Sequence, residues 1–128
     1  MECSYAFIRD VLGDGLLAAG KHYDSASRSY DGFLYRKSIE GAELWRHHTK
    51  ASATSIKATR DGRYVVAAFL DGTLGVFRAR DGEIVKWEPV IAEGYPTVIV
   101  SLDLNEKQVL LGSLDGRFGV APLGEFLS

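Results

Sequence analysis

The chain has one cysteine, one methionine and three prolines among 128 residues. Cys3, standing alone, can form neither an internal disulfide nor a cysteine-based zinc cluster, so a reducing compartment and an incidental or packing thiol are expected. No apolar run approaches the ~20 residues of a membrane span, and Met1-Glu2-Cys3-Ser4-Tyr5 lacks the basic-then-apolar pattern of a secretory leader. A soluble, cytoplasmic protein is expected. Neither sign of charge is in excess: 15 basic and 17 acidic residues leave a formal net charge of −2. Phosphate backbones and anionic membranes therefore exert no global attraction, and neither nucleic acid nor membrane is expected as a partner.

Catalytic signatures are missing too. There is no Gly-x-Ser-x-Gly elbow and no His-Glu-x-x-His pair. His22, His47 and His48 are the only histidines, and adjacent strand residues project to opposite faces, so His47 and His48 are not placed to share a metal. Gly13-Asp14-Gly15 precedes an apolar strand, without the helix N-terminus that lets a glycine-rich loop hold phosphate. The expectation is a protein without catalysis, cofactor or metal.

What the chain does have is repetition. Leu70-Asp71-Gly72-Thr73-Leu74-Gly75-Val76 recurs as Leu114-Asp115-Gly116-Arg117-Phe118-Gly119-Val120, and Tyr30-Asp31-Gly32-Phe33-Leu34-Tyr35 is a looser copy. Trp45 and Trp87 recur at nearly the same interval. A period of about 40 to 50 residues in strand-rich sequence marks a repeated meander, and the repeats fall at approximately 1–47, 48–90 and 91–128.

The second copy shows the unit most clearly. Alternation over residues 55–59 gives a first strand, Asp61-Gly62 a turn, and Tyr64-Val65-Val66-Ala67-Ala68-Phe69 a second strand buried on both faces. Asp71-Gly72 turns the chain into a third strand over 73–78, and Asp81-Gly82 into a fourth ending at Trp87. Asp14, Asp31, Asp61, Asp71, Asp81 and Asp115 each precede a glycine in a turn, and serve that turn by accepting backbone hydrogen bonds while glycine takes the left-handed angle. In the third copy, residues 98–102, 108–112 and 117–121 give three strands, and Gly124-Glu125-Phe126-Leu127 aligns with the start of a fourth. In the first copy, residues 5–8 and 16–19 give strands one and two, and Gly41-Ala42-Glu43-Leu44-Trp45 closes the fourth. The first copy departs from the plan by an insertion, Lys21-His22-Tyr23-Asp24-Ser25-Ala26-Ser27-Arg28-Ser29-Tyr30, read either as a lengthened loop that makes contacts or as a longer hairpin that decorates the surface. His22, Tyr23, Arg28 and Tyr30 are the side chains there suited to protein contact, with Tyr23, Arg28 and Tyr30 expected to dominate.

Asp81-Gly82-Glu83-Ile84-Val85-Lys86-Trp87, and more weakly Glu40-Gly41-Ala42-Glu43-Leu44-Trp45, resemble the turn-plus-tryptophan ending of quinoprotein-like and WD-repeat-like β-propeller blades. The chain contains no Trp-Asp dipeptide. The resemblance implies an all-β chain of three four-stranded antiparallel blades, half of a six-bladed ring, with Trp45 and Trp87 packing between blades at equivalent places. A small β-sandwich or barrel is the alternative fold. Propellers close with four to eight blades, so three would leave two uncovered sheet faces, each on the order of 500 Å². The expected function is a non-enzymatic protein-binding or scaffolding module that pairs with itself, a dimer being simplest, or with another protein. The alternatives are a small inhibitor or immunity-type protein docked on a target, or a fragment of a larger propeller.

Overall fold

Antiparallel meanders dominate the computed structural model, which describes residues 2–12 and 15–127, with side chains described for 15–28 and 31–127. Sheet one runs β1 (Glu2–Leu12), β2 (Gly15–Asp24), β3 (Ser29–Ser38) and β4 (Glu43–Thr49) in that spatial order. Sheet two repeats the arrangement with β5 (Ala53–Ala58), β6 (Tyr64–Phe69), β7 (Thr73–Arg78) and β8 (Ile84–Pro89). A two-stranded excursion, β9 (Ile91–Ala92) and β10 (Tyr95–Pro96), fills the connection to the next sheet. Glu93 and Gly94 at its tip both have positive φ, as a type I′ hairpin requires. Sheet three consists of β11 (Ile99–Leu104), β12 (Gln108–Ser113) and β13 (Phe118–Pro122), followed by a one-turn helix α1 (Leu123–Leu127).

The sheets are arranged radially, with β5 packed between β1 and β11 at the inner edge. This is blade packing and not the sandwich or barrel alternative. The repeat extends to backbone irregularities. The first strand of every sheet carries a bulge, between Ala6 and Ile8, Ala53 and Ser55, and Ile99 and Ser101. The pairings of β3 with β4 and of β7 with β8 also break register, at Arg36/Lys37 and Val76/Phe77.

Calling the face turned toward the next sheet the front, two cores alternate with the sheets. Leu17, Leu34 and Trp45 on the front of sheet one pack against Ile56, Val65, Ala67, Phe69 and Phe77 on the rear of sheet two. Val66, Ala68, Leu74 and Val76 on the front of sheet two pack against Ile99, Leu102 and Val109 on the rear of sheet three. β6 feeds both cores by alternation, which is why its sequence is continuously apolar. Thr54 reinforces the second contact, its hydroxyl donating to the carbonyls of Ala68 at 3.2 Å and of Ile99.

Two expectations are corrected and one alternative is decided. Residues 123–127 form helix, not a fourth strand, because Leu123, Phe126 and Leu127 have the i, i+3, i+4 spacing that puts apolar groups on one helical face. That face packs against the second core, and Lys86 Nζ–H donates to the Phe126 carbonyl at 2.9 Å. Asp31-Gly32 lies inside β3 and makes no turn. Gly32 pairs with both Lys21 and Thr49, and a Cβ there would stand 2.3 Å from Thr49 Oγ1 and 2.4 Å from the Ala51 carbonyl oxygen. The insertion takes the longer-hairpin reading and not the loop: β2 and β3 each run for 10 residues, with Tyr23 opposite Tyr30 and His22 opposite Asp31. Residues 13 and 14, where the first turn was expected, lie outside the described residues, as does the side chain of Cys3.

Candidate functional site

The β2–β3 hairpin runs past the first residue pair of β3 with β4, Gly32 with Thr49, so its end projects as a three-stranded extension of β1, β2 and β3. Asp24 builds the tip. Its carboxylate accepts the Ala26 N–H at 3.0 Å and the Ser27 hydroxyl at 3.1 Å, and Arg28 takes φ 53° to bring the chain back. Arg28 is exposed, while His22 and Tyr23 are half-buried on opposite faces of β2. The hairpin therefore aligns the backbones of Tyr23 and Tyr30 but splits His22 from Tyr23; the side chain of Tyr30 lies outside the described residues.

The tryptophans do not hold equivalent places. Trp45 pairs with Arg36 on the front of sheet one, and Trp87 pairs with Gly75 on the rear of sheet two, so both belong to the first interface and approach it from opposite sides. Counted from the bulges, Trp87 corresponds to Arg46, one residue beyond Trp45. Trp45 is 8% exposed, stacks on Phe77 at 6.2 Å and donates its indole N–H to the Ala79 carbonyl at 2.8 Å. Trp87, 42% exposed, packs on Phe69 at 4.8 Å and edge-on to Phe77 at 6.0 Å. His47 turns into the same cluster and meets the Gly82 carbonyl at 2.5 Å, while His48 is exposed on the rear face. Gly82 fits because its φ is +76° and because a Cβ would lie 2.7 Å from the Trp45 ring. A groove of about 370 Å³ opens beside Trp87, His47 and Asp71.

The two outer faces of the stack differ. On the front of sheet three, Leu110, Gly112, Phe118 and Val120 occupy the register positions of Val66, Ala68, Leu74 and Val76 on sheet two. The sheet-two residues are buried, whereas Phe118 is 73% and Val120 51% exposed. On the rear of sheet one, Ala18 and Phe33 are buried and Phe33 stacks on Tyr35 at 5.8 Å. The Arg46 guanidinium sits 5.3 Å over Phe33 and 4.9 Å over Tyr35, and Lys37 Nζ sits 5.0 Å over Tyr35. One flank is open and apolar; the other is roofed by its own cations, because Arg46 and Lys37 stand where sheet two has Trp87 and Phe77. Sequence reasoning anticipated uncovered flanks but did not pick out Leu110, Phe118 and Val120. Aligning Leu74-Gly75-Val76 with Phe118-Gly119-Val120 carries that signal.

Turn carboxylates are held in the ionised form. The Thr59 hydroxyl beside Asp61, the Arg78 guanidinium beside Asp81 and the Ser113 hydroxyl beside Asp115 pull each carboxyl below its usual range, and Asp81 in return pushes Arg78 up. Among the described residues no cluster of three metal-ligating side chains occurs, and no helix is long and apolar enough to cross a membrane.

No family model matches the sequence, and no curated protein matches it. Solved structures do match in shape. BamB from Moraxella catarrhalis superposes with a TM-score of 0.64 at 17% identity, over 91% of this chain and 33% of that one. The β-propeller domain of Cps50 (Swd1) from Myceliophteria thermophila gives 0.67 at 16% identity, over 96% and 38%. The computationally designed Ika4 protein gives 0.59 at 14% identity, over 93% and 91%. The chain thus spans about a third of the length of the two natural neighbours. At these identities the likeness is one of fold, and it agrees with the radial meanders, the repeated bulges and the alternating cores: the chain is a run of three β-propeller blades.

Proposed function

We propose that this chain is a protein-binding module, not an enzyme, whose blades complete their packing by association with a second copy. The observation that carries the reading is the front of blade three. Phe118 and Val120 lie open, and Leu110 half-buried, at the register positions that blade two buries beneath its neighbour. A second copy offers a surface of matching architecture in the rear of its blade one, where Phe33 and Tyr35 lie under mobile-stemmed cations that can swing aside or fold their alkyl stems onto an apolar partner. Two such contacts related by a two-fold axis give six blades and a closed ring. The β2–β3 hairpin projects from the blades as a contact element, with His22, Tyr23 and Arg28 the candidate side chains described there. Soluble, cytoplasmic residence fits the single cysteine.

Disulfide trapping tests this arrangement. In a Cys3→Ser background, Phe118→Cys combined with Tyr35→Cys places thiols on opposite flanks of one chain. Oxidation is expected to give a covalent dimer and nothing larger. A ladder of multimers contradicts ring closure, and absence of cross-links contradicts the pairing.

A second reading has its own support. Because the natural neighbours are about three times as long, further blades of a longer chain are an alternative cover for Phe118 and Val120.

A further inference from the structure

We propose that the hollow at the turn end of the first blade interface is an anion site that takes a phosphate group, held by the guanidinium groups of Arg36, Arg63 and Arg80. The hollow, about 370 Å³, is lined by Arg36, Gly62, Arg63, Tyr64, Arg78 and Arg80. Three separate elements bring these cations together: β3 carries Arg36, the β5–β6 turn carries Arg63, and the end of β7 and its turn carry Arg78 and Arg80. The site lies at the opposite end of the blades from the β2–β3 hairpin and shares no residue with the front of blade three.

The electrostatics call for a counter-ion. Arg36 projects from the front of blade one into the interface, where its Nη1–H donates to the Ala79 carbonyl at 2.7 Å, the same oxygen that accepts the Trp45 indole N–H at 2.8 Å. Its Nε is sealed from solvent and has no hydrogen-bond partner. Arg78 is engaged by Asp81 at 2.6 Å and by Glu83. Among the described residues Arg36, Arg63 and Arg80 make no ion pair. Asp61 on the β5–β6 turn accepts the Thr59 hydroxyl at 2.7 Å and the Arg63 backbone N–H at 3.0 Å, and its charge acts on the Arg63 guanidinium. The hollow is thus lined by four arginines, Arg36, Arg63, Arg78 and Arg80, with the carboxylates of Asp61 and Asp81 acting on Arg63 and Arg80 and those of Asp81 and Glu83 on Arg78, while none of the three pairs with Arg36. An uncompensated, partly buried cation is costly, and an orphaned N–H adds to the cost. A phosphate group entering the hollow supplies the charge that Arg36 lacks, because its oxygens match exposed guanidinium forks and bind them with paired, charge-assisted hydrogen bonds. The source of the phosphate is a free ion or a phosphorylated side chain.

Titration of the wild-type chain with inorganic phosphate and, in parallel, with O-phosphoserine at constant ionic strength distinguishes the sources. The Trp45 indole N–H resonance is the reporter, since that group shares the Ala79 carbonyl with Arg36. Saturable movement of the resonance is expected with phosphate, and the Arg63→Ser/Arg80→Ser double variant, altered only at exposed positions, is expected to bind about tenfold more weakly. Arg36→Met is expected to lose the response while unfolding at a higher temperature than wild type in phosphate-free buffer. Tighter binding of O-phosphoserine assigns the site to a phosphorylated side chain, and equal or weaker binding assigns it to the free ion. Shifts that do not saturate, or wild-type affinity in the double variant, overturn the proposal. Should Arg36→Met fail to fold, the double variant decides.

Discussion

Asp61, Asp71, Asp81 and Asp115 each accept the backbone N–H two residues on, at 3.0, 3.1, 3.0 and 3.4 Å, and the glycine that follows each takes the positive φ that completes the turn. Their role was legible because the Asp-Gly pair combines the one acceptor and the one backbone freedom that a tight turn needs. Asp31-Gly32 shows the limit of that signal: the same dipeptide sits in a strand because Asp24 has already turned the chain seven residues earlier by its own carboxylate bonds. A pH dependence follows from the ionised carboxylates. Asp61, Asp81 and Asp115 titrate below the ordinary aspartate value of about 3.9 because hydroxyl and guanidinium donors hold the charged form. The stability they confer is fully present above that value and is lost as the pH falls beneath it toward their folded-state values. Urea midpoints measured from pH 7 to pH 2 are expected to drop below about pH 4. Asp81→Asn is expected to lower the midpoint at pH 7 and flatten the acid fall; an unchanged acid slope contradicts this origin.

Among elements, the strands of blade two were legible almost residue for residue. Their alternation, their Asp-Gly punctuation and the doubly buried β6 all pointed the same way. Two features were hidden. The helix α1 competes with a short fourth strand, and its apolar spacing became decisive only once the second core offered Leu123, Phe126 and Leu127 a surface. The tryptophans looked equivalent because their interval matches the repeat, yet a shift of one residue reverses the face a strand presents. The structural consequence is measurable. Trp45→Ala removes a buried ring and a hydrogen bond and is expected to cost about 3–5 kcal/mol, whereas Trp87→Ala, at a half-exposed groove, is expected to cost roughly half as much or less. Chemical denaturation of the two variants checks the order, and equal losses contradict the assignment of Trp45 to the sealed side of the interface.

For the molecule as a whole, the three blades bury two interfaces and leave a third set of matching positions open. That uncovered flanks exist was implicit in a count of three repeats, since each sheet relies on the next to cover its front. That the flanks differ in character was not, because it depends on which faces receive Arg46, Lys37 and Phe118, and the bulges in the β3–β4 and β7–β8 pairings set that register. The most direct test is the mass of the intact chain in solution by light scattering coupled to size exclusion at micromolar concentration. The pairing of blade three with blade one predicts a single species of twice the 14.0 kDa chain mass, dissociated by Phe118→Glu without loss of folded β signal. A monodisperse 14.0 kDa monomer contradicts it.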